Sequence, residues 1–218
     1  MNARRRQLGL TLMELLVVVA IGSVITGMVL MVWFGLNRSS AMTTSSSQAR
    51  DFARDGIARL GREIRDAEPL PGHEAIQQAD AWSITFTTSF NEVGNDLATT
   101  APRLVRYWYD ENTDSLRRTV DSDGDQTVTL ADGVTPDPGD RTSVIVPHLL
   151  NIEGARSEAV FTYTYMDGNA NRKTDTTPVP LSGIVLVRIH LLVDLDPGKA
   201  PRAMDLTTEV QLRNQRVF

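Results

Sequence analysis

Residues 9–36 read GLTLMELLVVVAIGSVITGMVLMVWFGL, and this stretch decides the fold. From Leu15 to Leu36 it carries no charge. That run of about 22 residues spans roughly 33 Å as a helix, enough to cross the hydrocarbon core of a bilayer. Arg4, Arg5 and Arg6 precede it and only Arg38 follows closely. The positive-inside bias therefore keeps the N-terminus in the cytoplasm and sends everything after Asn37 outward. The expected location is the cytoplasmic (inner) membrane, crossed once, with most of the chain extracytoplasmic. One acid, Glu14, stands at the edge of the apolar run. An ionised carboxylate costs on the order of 2.5–3.5 kcal/mol at the centre of a membrane helix and less near an end. Such a residue calls for a compensating charge.

The same residues resemble the N-terminal signature of type IV pilins and pseudopilins. That signature is a short basic leader ending in Gly, then an apolar residue, Thr at the second mature position and Glu at the fifth. Here these are Gly9, Leu10, Thr11 and Glu14. The resemblance implies that a prepilin peptidase cuts between Gly9 and Leu10 and methylates the new amino group of Leu10. It also implies that Glu14 pairs with the N-terminal amine of a neighbouring subunit during assembly. An amine freed by cleavage is a cation suited to a carboxylate in lipid. Many major pilins carry Pro at the twenty-second mature position, where this chain has Met31. That departure favours a minor subunit over the bulk one. Two plainer readings stand beside this one: Glu14 as an interfacial acid that snorkels to the headgroups, and residues 1 to about 41 as a secretory signal cut near Ser39, Ser40 and Ala41. The apolar run exceeds the 7–15 residues usual for a signal core.

The 218 residues suffice for one good core plus an anchor. Loss of Arg4, Arg5 and Arg6 with the leader takes the formal charge from −5 to −8. An acidic exterior argues against a nucleic-acid groove, so no direct nucleic-acid binding is expected. The absence of cysteine means that no disulfide holds the outer domain and no cysteine-linked lipid anchors it.

Beyond Asn37 the chain stays polar and Ser/Thr-rich to Ser47 without Pro or Gly, so the helix is expected to continue. From Gln48 to Ala67, Phe52, Ile57, Leu60, Ile64 and Ala67 recur at helical spacing, with Arg54, Asp55, Arg59, Arg62, Glu63 and Asp66 on the remaining positions. Asp55 with Arg59 and Arg62 with Asp66 lie at i, i+4. Pro69, Pro71 and Gly72 then end the helix. From Leu10 to Ala67 such a helix measures about 87 Å, and a helix half in lipid and half under a globular head is also what the pilin resemblance implies.

After Gly72 the period changes to two. Trp82, Ile84 and Phe86, then Val105, Tyr107 and Tyr109, then Phe161, Tyr163 and Tyr165, alternate with mostly polar neighbours, as in half-buried strands. From Ile184 to Val193 the odd positions are all apolar, and from Asp205 to Arg213 Leu206, Val210 and Leu212 oppose Glu209, Gln211 and Arg213. The expected class is α+β: a long N-terminal helix, its first half transmembrane, packed against an antiparallel sheet. The domain plan is a leader at 1–9, a transmembrane helix at 10–37, its amphipathic continuation at 38–68 and a β-rich globular domain at 69–218.

This layout also resembles the minor pilins of the PilW type and the J pseudopilin of type II secretion. The similar segments are ARLGREIRDAEPL, YWYDENTDSLRR, VFTYTYMDGNA and VQLRNQ. The resemblance implies a non-enzymatic subunit extruded into an extracytoplasmic filament. Its implied partners are other pilin or pseudopilin subunits, a prepilin peptidase, the membrane and a membrane assembly platform driven by a cytoplasmic ATPase. The competing expectation is a membrane-tethered β-domain that binds a ligand or calcium without polymerising.

Signatures of catalysis are missing. His73 and Glu74 begin an HExx pattern, but Gln77 stands where the second His belongs. The three histidines, His73, His148 and His190, occupy unrelated contexts. One cofactor is suggested. In DSDGDQTVTLAD, Asp121, Asp123, Asp125, Thr127 and Asp132 fall on oxygen-ligand positions of a twelve-residue calcium loop. Gln126 replaces the usual Gly, Asp132 the usual Glu, and no flanking helix is evident. A weaker run is Asp167, Asn169, Asn171 and Asp175. Both stretches also read as hairpin turns, which Asp, Asn and Gly favour.

Overall fold

A computed structural model describes residues 12–89, 102–124, 139–153, 155–167, 171–176, 179–194 and 203–213, with backbone alone at 38–49, 153 and 156. A 54-residue helix, α1 (Leu12–Arg65), opens the described chain. By its internal contacts the chain falls into two units, Met1–Ser46 and Ser47–Phe218.

In the first unit, Leu12–Asn37 is long and apolar enough to cross a membrane. Its side chains are exposed throughout. A helix that is apolar all round and buries none of that surface within its own chain is not a core helix. Its two hydroxyls are satisfied internally: Ser23 Oγ donates to the Ala20 carbonyl and Thr26 Oγ1 to that of Gly22, each at 2.8 Å.

In the second unit, the last four turns of α1 join two antiparallel sheets. Strands β1 (Ile76–Ala79), β2 (Ser83–Thr88), β3 (Arg103–Asp110), β4 (Ser115–Val120) and β5 (Arg141–Val146) form a meander in sequence order. A small hairpin, β6 (Ile152–Glu153) and β7 (Arg156–Ser157), follows. The second sheet takes β8 (Phe161–Met166), β9 (Arg172–Asp175), β10 (Ile184–Val193) and β11 (Met204–Gln211) in the order β11-β10-β8-β9. The α+β class therefore holds, with two main sheets where one was expected. Buried Tyr163 ties them, because its hydroxyl reaches the carbonyls of Asp80 at 2.9 Å and Ser83 at 3.2 Å. Buried Asn151 also bonds both ways, donating to the Glu158 and His190 carbonyls and accepting the Leu192 amide.

One core is shared by the helix and both sheets. Ala53, Leu60, Ile64 and Ala67 of the helix side meet a cluster that includes Phe86, Tyr107, Leu116 and Val146 of the first sheet and Phe161, Val187, Ile189 and Val210 of the second. Phe86 and Tyr107 stack with ring centroids 6.1 Å apart. The helix stops as expected before Pro69 and Pro71, and Gly72 takes φ +84°, a conformation that costs glycine nothing.

Several expectations change in physical detail. Phe52, placed on the buried stripe, is 64% exposed, whereas Ala53 and Gly56 are buried. Strand β5 runs so near the helix that a Cβ on Gly56 would lie 2.7 Å from Val146 Cγ2 and 2.9 Å from Ile145 Cγ2. Only small residues fit there. Glu63, placed among the solvent-facing positions, is fully buried and pairs with Arg59 at i, i+4, 3.2 Å away. Finally, β2 is buried on both faces, not one. Its outer hydroxyls lie among longer polar side chains, Gln77 donating to Thr87 and Arg106 to Ser83. Trp108 on β3 is likewise buried, its Nε1 donating to Thr119 Oγ1 and its ring covered by the Arg117 guanidinium. On β10 the odd-numbered face does meet the core from Val187 to Val193, but a bulge at Ile184–Leu186 turns Ile184 inward in place of Val185.

Candidate functional site

Glu14 lies in the first turn of α1, within the exposed apolar segment. Gly9, Leu10 and Thr11 lie outside the described residues. Of the residues expected to take part in processing and assembly, only Glu14 is therefore described.

A second locus lies where β4 ends and β5 begins. The β4–β5 register pairs Val120 with Arg141, which brings Asp121 and Asp140 to adjacent strand ends. Asp121, Asp123 and Asp140 each offer a carboxylate oxygen within 4.8 Å of the others. The Gly124 amide donates to Asp121 Oδ1 at 2.7 Å, and Gly124 itself adopts φ +82°. Ser122 Oγ donates to the Gly139 carbonyl at 2.8 Å, tying the two segments together. Gly139 passes so close to the Asp123 carboxylate that any side chain there would overlap it.

Oxygen ligands suit a hard cation such as calcium, which takes six to eight of them. The donor set present therefore fits that ion's chemistry. Of the residues expected at this loop, Asp121 and Asp123 come together, whereas Asp125, Thr127 and Asp132 lie outside the described residues. Asp140 was not anticipated. Its signal was available only through strand pairing, since it falls outside the twelve-residue pattern.

The weaker polar run forms a hairpin. Asp167 and Asn171 exchange hydrogen bonds at the β8–β9 junction, and Lys173 pairs with Asp167 at 3.1 Å. Asn169 lies outside the described residues. His73 and His148 are exposed. His190 stands between Glu158 and Asp205 on the outer face of the second sheet, its ring nitrogens 3.5 and 3.1 Å from their carboxylates.

The polar group most at odds with the sequence reading is Glu63. Its Oε2 accepts from Tyr107 Oη at 3.0 Å and Arg118 Nε at 2.9 Å, and its Oε1 from Arg59 Nε at 3.2 Å. Burial, reinforced by the Glu63 carboxylate, raises the Tyr107 hydroxyl well above its ordinary range, so it remains a neutral donor. Three donors from the helix, β3 and β4 thus converge on one acid inside the core. The arrangement ties the helix to the first sheet.

Compared with known families, residues 4–30 match the model of the prokaryotic N-terminal methylation motif. Comparison with curated proteins yields no match. The matched segment contains Gly9, Leu10, Thr11 and Glu14, and it supports reading the chain as a type IV pilin-like substrate of a prepilin peptidase. The motif implies assembly with other pilins, and pilin-like proteins are structural, not catalytic. The exposed apolar helix is compatible with membrane anchoring.

Proposed function

We propose that this chain is a minor pilin or pseudopilin, of the PilW type or akin to the J pseudopilin of type II secretion. It is cut after Gly9, methylated at Leu10 and incorporated into, or made to initiate, an extracytoplasmic filament. The observation that carries the reading is the methylation motif at residues 4–30, continuous with an apolar helix whose first turn holds Glu14. A helix followed by an antiparallel β-rich unit supports it. On this reading 1–9 is the leader, 10–37 the membrane helix, 38–68 its continuation and 69–218 the exported β domain. The precursor crosses the inner membrane with its N-terminus in the cytoplasm. Glu14 then pairs with the amine of a neighbouring Leu10, with Thr11 beside it. Mass spectrometry of the N-terminus in cells that possess the peptidase tests the proposal. Methylated Leu10 is expected, and a chain that still begins at Met1, or that starts near Met42, would overturn it.

A specific observation also favours a bound ion: the spacing of the 121–132 loop and the convergence of Asp140 on Asp121 and Asp123. We propose that these three carboxylates contribute to a calcium site that braces the β4–β5 connection. This role is compatible with assembly, and it would also serve the alternative of a tethered β-domain that does not polymerise.

A further inference from the structure

We propose that His190 and Asp205, on the outer face of the second sheet, hold a divalent transition metal of the zinc, nickel and copper class, with Glu158 orienting the imidazole. Strand pairing builds the site. His190 of β10 lies opposite Thr207 of β11, and Leu192 lies opposite Asp205, so His190 and Asp205 are diagonal neighbours on one face. On the other side, the His190 amide donates to the Val160 carbonyl at 2.9 Å, which brings Glu158 alongside. Buried Asn151 fixes both backbones, its Nδ2 donating to the carbonyls of Glu158 at 3.1 Å and His190 at 3.0 Å. The ring therefore stands on a rigid support, as a metal ligand should.

Each ring nitrogen faces a carboxylate: Asp205 Oδ1 is 3.1 Å from Nε2, and Glu158 Oε2 is 3.5 Å from Nδ1. A neutral imidazole carries one proton and one lone pair. With the proton on Nδ1, towards Glu158, the Nε2 lone pair faces Asp205, and a cation has to join the two. A proton fills that place in the hydrogen-bonded form, and the metal displaces it. Carboxylate, imidazole and metal in that sequence is how an outer acid sets the tautomer of a ligating histidine. Two ligands bound to one zinc at about 2.0–2.1 Å lie roughly 3.0–3.4 Å apart, which matches the Nε2 to Oδ1 separation. The Asp205 side chain is 66% exposed, so it can turn towards the ion without disturbing the core. Charge agrees, because Glu158, Asp205 and Glu209 outnumber Arg188, which Glu209 already engages at 2.7 Å. Beside the ring opens a concavity of about 380 Å³ lined by Glu158, Ala159, Thr162, Arg188, His190 and Thr207, with room for water on the remaining coordination positions. The imidazole selects the metal: calcium and magnesium take oxygen ligands, whereas zinc, nickel and copper accept nitrogen. This site differs in chemistry from the Asp121 cluster of the first sheet and does not depend on the assembling role.

The test uses the full chain in detergent, titrated with zinc chloride in a calorimeter, with excess calcium present to occupy oxygen-only sites. One zinc per chain is expected. His190→Gln should abolish binding, Asp205→Asn should weaken it about a hundredfold and Glu158→Gln about tenfold. Asp205 is exposed, so its variant keeps the test decisive even if His190→Gln fails to fold. His73 and His148 are exposed elsewhere, and the double variant His73→Gln, His148→Gln should bind zinc as the parent does. Loaded with copper(II), the parent should show the electron-spin signature of one coordinated imidazole, and His190→Gln should lack it. Zinc binding that survives His190→Gln or Asp205→Asn, or that is lost in the double variant instead, would overturn the inference. So would the lack of one-to-one binding in the parent, which would leave His190 held by hydrogen bonds alone.

Discussion

Arg118 of β4 donates from Nε to Glu63 of α1 at 2.9 Å, with the arginine side chain 7% exposed and the glutamate fully buried. This contact joins the helix to the middle of the first sheet. Two charges withdrawn from water repay their desolvation only when further hydrogen bonds complete the site, as Tyr107 and Arg59 do here.

Removal of one partner should therefore be severe. Glu63→Leu leaves Arg118 buried without its carboxylate and is expected to cost about 3–5 kcal/mol. Glu63→Leu combined with Arg118→Met should recover much of that loss. Denaturant unfolding followed by tryptophan emission measures both, and a loss below about 1 kcal/mol for the single variant would contradict a structural role for the pair.

Two helix glycines should respond with opposite signs. At Gly56 a Cβ meets the stiff Val146 and Ile145 side chains below 3 Å, so Gly56→Ala is expected to destabilise by about 1–3 kcal/mol. At Gly61 the nearest atom is Val210 Cγ2 at 3.4 Å. Gly61→Ala should be neutral or stabilising by up to about 1 kcal/mol through helix propensity. Equal effects at the two sites would mean that the close approach of β5 does not limit packing.

Processing and incorporation should separate genetically. Glu14→Ala is expected to leave cleavage largely intact and to abolish incorporation into filaments, as read by immunoblots of sheared filament and membrane fractions. Gly9→Leu should block cleavage. Normal incorporation of the first variant would refute the pairing role of Glu14, and a mature chain starting at Leu10 in the second would refute the assigned cut.

Asp110 supplies the pH dependence. Burial pushes its carboxyl up, but hydrogen bonds from Thr113 and the Asn112 amide, together with Arg117 at 2.7 Å, outweigh that and hold it below the usual carboxylate range. A carboxyl whose folded value is depressed contributes stability above its unfolded value of about 3.9 and loses it as pH falls through the folded value. Asp110→Asn should cost about 1–3 kcal/mol at neutral pH. The gap between the two proteins should narrow below about pH 4. A gap unchanged at pH 3 would show that the loss is steric, not electrostatic.

Calcium should stabilise the unit that contains Asp121, Asp123 and Asp140. Binding at a hundredfold excess over Kd adds about 2.7 kcal/mol. The melting temperature should rise with calcium and return with EDTA, and Asp121→Asn or Asp140→Asn should abolish the response. A melting temperature indifferent to both reagents would dismiss the site.

The apolar run, Glu14 and the basic residues before it were legible in the sequence because each is a matter of composition along one short stretch, and no distant residue is needed to recognise it. The period-two strands and the stop at Pro69 were legible for the same local reason. The destinations of individual polar side chains were not. Glu63 reads as a surface acid until Tyr107 and Arg118, 44 and 55 residues later, arrive beside it. Phe52 reads as core until the helix turns Ala53 and Gly56 inward, with β5 packed close against Gly56. Asp140 joins Asp121 only because β4 and β5 pair in one register. Sequence alone thus determined the membrane-competent helix, the motif at its start and the α+β class. Tertiary structure alone decided the two-sheet division, the buried acid and the acidic cluster, because these depend on which strands lie side by side, and that is set by contacts between residues far apart in the chain.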